Sequence, residues 1–232
     1  MSMNYVSTFA AAAVLGVLSP GAHAAPERLV IFAFDISDSA PVATDRNIAR
    51  QAGKTVRSIT AGLRPDDRVK LRSLGFAGAV ATQIDVNVTL GRKVKSRADR
   101  IAPVLGRLVA SFPERVERGE IEVQTRTNII GFIEALAPSL DCRNVDTRIV
   151  IFTDGIEWST QVMGQDLVDG KADLPSPSGP ILEGCAVEMR GLGQVAAKFQ
   201  TDSRWFPRLR TQWTRFFEAA GAARFSAYAA FE

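Results

Sequence analysis

Histidine is nearly absent from this chain: His23 is the only one among 232 residues, and it lies close to the N-terminus. The chain beyond residue 24 therefore has none, which excludes Ser-His-Asp and Cys-His nucleophiles there. Cysteine is also scarce, with two residues, so a zinc site built from the usual His and Cys ligands is excluded as well. Any bound metal ion must be held by oxygen atoms, which favours Mg²⁺, with Mn²⁺ or Ca²⁺ as alternatives.

The chain also lacks an apolar run long enough to span a bilayer, although a shorter one lies near the N-terminus. The run FAAAAVLGVL (Phe9–Leu18) is too short to span a bilayer. It is followed by Ala22-His23-Ala24, with small residues at the two positions that a signal peptidase reads. We predict a signal peptide over residues 1–24, a single domain over 25–232 and an exported protein, periplasmic or secreted. The opening MSMNY has no Lys or Arg, so an uncleaved anchor or a disordered apolar tail is the alternative.

Strong net charge is a further absence. The chain has 28 basic and 25 acidic residues, a balance of +3 that does not by itself indicate nucleic acid or an anionic membrane as partner.

Export would let Cys142 and Cys185 form a disulfide, because each lies shortly before a predicted strand and neighbouring parallel strands bring such positions together. The bridge would close a loop of about 43 residues and add about 4 kcal/mol. Two buried free thiols are the alternative.

Apolar runs alternate with helical periodicities along the chain. RLVIFAF (28–34) and TRIVIFTDG (147–155) are typical of strands buried on both faces of a parallel sheet. Further strands are predicted at 68–76, 81–90, 186–193 and 224–231, and helices at 48–63, from about 96, at 126–136 and at 208–223. This order predicts an α/β fold with a doubly wound, mostly parallel central sheet flanked by helices and one antiparallel edge strand.

One stretch lacks any such pattern, residues 156–184. It has five acidic residues against one lysine and includes the turn-forming DLPSPSGP. A loop of this length is functional or flexible. Its position directly after Asp154 makes it our candidate for partner specificity.

Oxygen-bearing side chains follow the two long apolar strands. Asp35-x-Ser37-x-Ser39 ends the first, Thr153-Asp154-Gly155 ends the second, and Thr127 begins the helix that leads into the second. Ligands gather at the carboxyl ends of strands in open α/β sheets. Three hydroxyls could bind a hard cation directly, while two carboxylates bind it or orient its waters. An ion held mainly by neutral hydroxyls would seek an anionic ligand from outside, such as a carboxylate of a partner.

With these residues, the chain resembles a von Willebrand factor type A domain with a metal-ion-dependent adhesion site. DISDS fits that family's D-x-S-x-S, RTNIIGFIEAL fits its threonine loop, FTDG fits its second aspartate, and LRPDDRVKL (63–71) resembles the turn into its second strand. The resemblance covers residues 28–231. It implies Mg²⁺ and partner binding without catalysis, at the following residues: Ser37, Ser39 and Thr127 as ligands, Asp35 and Asp154 in support.

Two features depart from the family pattern. Arg126 occupies a position where a glycine often precedes the threonine, and the long acidic loop replaces a helix after Asp154. Either difference would alter the choice of partner, and neither removes a ligand.

Other interpretations stay open at this point. The aspartate and serines are also common turn and N-cap residues, and Thr127 alone would be a good N-cap. A domain of this fold with a non-functional metal site would serve structure or assembly. A haloacid-dehalogenase-like, Mg²⁺-dependent phosphatase also has an aspartate after its first strand, but Ser37 occupies the position of its second acid.

Overall fold

The computed structural model describes residues 27–74, 83–199 and 202–232. The predicted signal peptide over residues 1–24 lies outside this part of the chain. The strands are β1 (Arg28–Asp35), β2 (Arg68–Leu74), β3 (Asp85–Thr89), β4 (Asp146–Phe152), β5 (Ala186–Arg190) and β6 (Arg224–Tyr228). The helices are α1 (Arg46–Ala61), α2 (Ala98–Ala110), α3 (Phe112–Glu117), α4 (Ile129–Leu136), α5 (Gly164–Asp169) and α6 (Trp205–Ala219).

The six strands form one sheet in the order β3-β2-β1-β4-β5-β6. Every neighbouring pair is parallel except β2 and β3, which are antiparallel, so β3 is the antiparallel edge strand. The predicted fold class, a mostly parallel α/β sheet with one antiparallel edge strand, is confirmed. The two apolar strands β1 and β4 are central neighbours, with Phe34 opposite Phe152 in the register.

Two hydrophobic cores cover the two faces of the sheet, which explains why the central strands are apolar throughout. On one face, Phe32, Phe34 and Phe152 pack with apolar residues of α1, α2 and α3. On the other face, Ile149, Ile151 and neighbouring β5 residues pack against α4 and α6. The α6 residues Leu209, Trp213, Phe216 and Phe217 are all buried there, since their spacing puts them on one face of the helix.

The helical boundaries differ in places from the sequence-based prediction. Helix α2 begins at Ala98, close to the predicted start at about residue 96, and has Pro103 in its interior. Phe112 is the first residue of α3. The predicted loop at 156–184 includes the short helix α5, which ends at Gly170 in a left-handed conformation with φ 74°. The periodicity of six residues is too short to separate such a helix from a loop.

The two cysteines form a disulfide, as predicted. The Cα atoms of Cys142 and Cys185 are 5.0 Å apart, and the bridge connects the segments that precede β4 and β5. It fixes the far end of the 156–184 loop at the amino edge of the sheet. Arg143 and Glu183 form an ion pair next to it.

Candidate metal centre

Asp35 is the last residue of β1 and lies at the centre of the candidate site. Its side chain is fully buried. Oδ1 accepts hydrogen bonds from the Ser37 amide at 2.8 Å and from Thr127 Oγ1 at 2.9 Å. Oδ2 accepts one from Thr153 Oγ1 at 2.7 Å. The hydrogen bond from the Ser37 amide is one that an aspartate commonly accepts in a turn. The hydrogen bonds from Thr127 and Thr153 join Asp35 to segments 92 and 118 residues away, and a turn alone does not need them.

Thr127 lies just before helix α4 and does not cap it. Asn128 is the N-cap, since its Oδ1 accepts a hydrogen bond from the Gly131 amide at 2.6 Å. The N-cap interpretation of Thr127 is therefore wrong. Thr127 is buried and directs its hydroxyl to Asp35.

The two serines of the first loop lie side by side. Ser37 Oγ and Ser39 Oγ are 3.3 Å apart, with Ser37 buried and Ser39 partly exposed. The loop is held by backbone hydrogen bonds between the Asp38 amide and Gln124, and between the Ala196 amide and Ser39. The first loop is therefore attached to the segments around Gln124 and Ala196. These two attachments fix the positions of its hydroxyls.

Asp154 completes the set after β4. It is fully buried, and its Oδ1 accepts a hydrogen bond from the Ile156 amide at 2.9 Å. Its Oδ2 is buried with no hydrogen-bond partner among the described residues. Gly155 follows with φ 76°, and a Cβ at this position would lie 2.1 Å from a methyl carbon of Leu192, so only glycine fits this turn.

Both carboxylates of the site have a raised pKa. Burial raises the pKa of Asp154 to about 7, and the nearby charge of Asp35 adds to the rise. The Ser39 hydroxyl opposes the rise, although it makes no hydrogen bond of normal geometry to Oδ2. Burial also raises the pKa of Asp35, against the hydrogen bonds that it accepts. Two close, buried carboxylates without a cation are an unfavourable arrangement.

Glu157 also belongs to this region, although the sequence pattern marks it only as one of the acidic residues of the 156–184 loop. The structure buries it, and its Oε2 accepts hydrogen bonds from the Ile129 and Ile130 amides at 2.8 and 3.2 Å, at the start of α4. Its Oε1 has no partner among the described residues. Burial raises the pKa of Glu157 to about 7. Glu157 lies between the apolar residues Ile156 and Trp158, but a charged residue within an acidic, turn-rich loop does not by itself indicate burial.

A cleft of about 300 Å³ lies beside the site. Its lining includes Asp38 and Ser39 from the first loop together with three aromatic side chains: Trp158, Phe199 and Trp205. The guanidinium of Arg126 lies 5.1 Å from the ring centroid of Trp158, and Lys198 forms an ion pair with Asp38 at 3.2 Å. Arg126, which occupies the position of a glycine in the family pattern, therefore stacks on Trp158 beside the site.

The donors at this site are suited to an oxygen-binding cation. The five predicted residues Asp35, Ser37, Ser39, Thr127 and Asp154 come from three loops and meet at the carboxyl edge of β1 and β4. The described residues include no group of three or more His, Cys, Asp or Glu side chains placed to hold a metal ion, so hydroxyl oxygens would have to take part. The set has two carboxylates and three hydroxyls, which is the composition of a Mg²⁺ site that relies on neutral ligands and water. The unpartnered Oδ2 of Asp154 is the atom that such an ion, or a water bound to it, would satisfy.

Comparison with known proteins gives structural likeness only. No protein-family model and no curated protein matches the chain. Similar solved structures include an aerotolerance-related membrane protein from Bacteroides fragilis, with 18% identity over 88% of this chain and 90% of that one and a TM-score of 0.44. The conserved hypothetical protein BatB from Bacteroides thetaiotaomicron is 17% identical over 88% of this chain and 90% of that one, with a TM-score of 0.48.

A von Willebrand factor type A protein from Catenulispora acidiphila is also similar, with 13% identity over 88% of this chain, 39% of that one and a TM-score of 0.44. At these identities and TM-scores, nothing about ligands or site residues follows. Within the described residues, no helix is both long and apolar enough to cross a membrane.

Proposed function

We propose that the protein is an exported, von Willebrand factor A-like binding protein that holds Mg²⁺ at this site and captures an acidic group of a partner protein. The observation that carries the proposal is the buried Oδ2 of Asp154, which has no partner among the described residues and lies in a site of five converging oxygen donors. A buried, unpaired carboxylate oxygen costs free energy that a bound cation recovers.

The roles of the residues follow from their contacts. Ser37, Ser39 and Thr127 would supply neutral oxygens to the ion, while Asp35 and Asp154 would bind it or orient its waters. With few direct anionic ligands, the ion keeps affinity for a carboxylate offered from outside. The adjacent cleft, with Trp158, Phe199 and Trp205 in its wall, would accept an apolar side chain next to that carboxylate.

Metal binding is tested by thermal unfolding with and without Mg²⁺. A ligand present at 100 times its dissociation constant stabilises the folded state by about 2.7 kcal/mol, so the wild-type Tm should rise clearly on adding Mg²⁺. Asp35→Ala should abolish the rise, whereas Glu134→Ala, which removes an exposed carboxylate elsewhere on α4, should keep it. An unchanged wild-type Tm would favour the alternative of a structural or assembly domain with a non-functional metal site.

Partner capture is tested separately, by pull-down from the native compartment in Mg²⁺ and in EDTA. A partner retained only in Mg²⁺, and lost when its acidic residue is changed to the amide, supports the proposal. We propose binding and no enzymatic activity, since Ser37 occupies the position where a phosphatase needs a second acid. Turnover of a phosphate monoester by the wild type that Asp35→Asn removes would overturn this choice.

A further inference from the structure

The weak net charge of the chain conceals a strongly basic surface. Residues 46–61 and 92–110, which include α1 and α2, have ten basic residues and one acidic residue, Asp99. Their balance is 10 − 1 = +9, against +3 for the whole chain, so the remainder carries −6. We call these ten residues, all exposed, the basic face: Arg46, Arg50, Lys54, Arg57, Arg92, Lys93, Lys95, Arg97, Arg100 and Arg107.

The packing of the two helices brings several of these side chains together around one groove. Gly53 of α1 and Gly106 of α2 are in such close contact that a Cβ on Gly53 would lie 2.5 Å from the Gly106 carbonyl oxygen. The helices therefore lie side by side, with a shallow groove of about 220 Å³ between them. The basic residues that line the groove are Arg50, Lys54, Arg57 and Arg107.

Few of these charges are neutralised within the molecule. Ion pairs join Arg46 to Glu117, Lys54 to Glu232 at 3.6 Å, and Asp99 to Arg97 and Arg100. The other six basic residues form no ion pair with any residue that the structure describes: Arg50, Arg57, Arg92, Lys93, Lys95 and Arg107. Exposed like charges at this density repel one another, so they are tolerated best where an anionic surface neutralises them.

Two apolar side chains lie exposed among the cations. Val94 is 63% exposed and Val104 is 51% exposed. Val104 shares the outward side of α2 with Arg100 and Arg107, which lie four residues before and three residues after it. Exposed apolar side chains surrounded by Lys and Arg are typical of a surface that meets the headgroup region of a bilayer.

We propose that the basic face docks on an anionic phospholipid surface. The unpaired arginines of the groove bind lipid phosphates, and the two valines contact the headgroup boundary. A single-stranded nucleic acid fits less well, because residues 46–61 and 92–110 have no aromatic side chain on which bases stack. The cleft beside the candidate metal centre includes no residue of the basic face, so docking leaves that cleft open and does not depend on metal binding.

The test is binding of the full chain to vesicles of phosphatidylcholine alone and of phosphatidylcholine mixed equally with phosphatidylglycerol. The apolar N-terminal run is present in every variant, and the neutral vesicles measure its contribution. Each Lys or Arg near an anionic surface contributes about 1 kcal/mol, so Arg57→Glu with Arg107→Glu should weaken binding to the mixed vesicles at least about tenfold. Both residues are exposed and make no ion pair within the part of the chain that the structure describes, and circular dichroism verifies that the variant folds.

The matched control is Arg210→Glu with Arg215→Glu on α6, which makes the same change in net charge on the opposite face of the sheet. It should bind the mixed vesicles as the wild type does. Equal binding to neutral and mixed vesicles, or equal loss in both double variants, would overturn the proposal. Displacement by inorganic phosphate but not by chloride of the same ionic strength would indicate a small-anion site, and variant-dependent binding of an oligonucleotide without vesicle binding would indicate nucleic acid.

Discussion

Asp154 shows how one side chain can limit the stability of the metal-free protein. Its carboxylate is buried near Asp35, one oxygen lacks a partner among the described residues, and its pKa is raised to about 7. Above that pH the folded state must hold two close negative charges away from water. The same arrangement becomes favourable when a cation lies between them.

The substitution Asp154→Asn separates these two effects. The amide has nearly the same shape and can still accept the hydrogen bond from the Ile156 amide. It removes a buried charge, so the metal-free variant should be more stable than the wild type at pH 8 by roughly 1–4 kcal/mol. The measurement is urea unfolding in EDTA and again in Mg²⁺.

Mg²⁺ should no longer stabilise this variant, whereas the control Glu134→Ala should respond as the wild type does. A variant that is less stable than the wild type in EDTA would show that the Asp154 charge is neutralised by something other than a metal ion.

At the scale of single elements, the contact between α1 and α2 depends on glycine. Gly53 and Gly106 let the two backbones approach, and a side chain on either one would meet a backbone carbonyl oxygen that cannot move freely. Gly53→Ala should therefore destabilise the protein by about 1–3 kcal/mol through overpacking. Gly62, at the end of α1, is the matched control, since its Cβ would lie 3.6 Å from the nearest atom.

Gly62→Ala should leave stability unchanged or raise it by about 0.4–1 kcal/mol, because alanine restricts the unfolded chain. Thermal unfolding of the two variants in parallel measures the difference. Equal effects in both would show that the helices can separate enough to accept a methyl group.

The disulfide acts on another element, the 156–184 loop. Its removal in Cys142→Ser with Cys185→Ser frees a segment of 43 residues in the unfolded state, so the protein should lose about 2–4 kcal/mol. Denaturant unfolding of the variant against the wild type under oxidising conditions gives the value. A loss well below 1 kcal/mol would indicate that the ion pair of Arg143 with Glu183 and the packing of Cys185 fix the loop without the bridge.

The stability of the whole molecule should depend on pH through its buried acids. Asp154 and Glu157 have a pKa of about 7 in the folded protein, against 3.8 and 4.5 for their ordinary values. Between about pH 4 and 7 the folded state therefore binds more protons than the unfolded state, and stability falls as pH rises through this window. We expect the metal-free protein to be more stable at pH 5.5 than at pH 8.

Mg²⁺ should flatten this profile, because it competes with protons at Asp154. The double variant Asp154→Asn with Glu157→Gln should show a flatter profile in EDTA as well. Unfolding midpoints measured across the pH range in EDTA check both expectations. A wild-type protein that is less stable at pH 5.5 than at pH 8 would contradict the raised pKa values.

Much of the architecture could be predicted because it depends on local patterns. Continuous apolar runs identified β1 and β4 as strands buried on both faces, and periodic apolar residues identified the helices that cover them. The order of polar residues after those two strands predicted which side chains would meet. That prediction needed only the rule that parallel strands present their carboxyl ends at one edge.

The local role of each site residue could not be predicted in the same way. The sequence left Thr127 as either a ligand or an N-cap, and the structure assigns the cap to Asn128. Glu157 is one of five acidic residues in the 156–184 loop, and only its contact with the start of α4, 28 residues earlier in the chain, reveals that it is buried. Such contacts depend on how distant loops pack, which a local pattern does not encode.

The sequence alone determined the fold class and the oxygen-only chemistry open to a metal, since composition and periodicity suffice for these, whereas the disulfide that it favoured was decided by the structure. Only the tertiary structure decided that Asp154 keeps an oxygen without a partner among the described residues, and that basic residues of α1 and α2 meet around one groove in a chain with net charge +3. Burial and the direction of a charged face are properties of packing. They arise when segments that are distant in the chain come together, so they cannot be read from the composition.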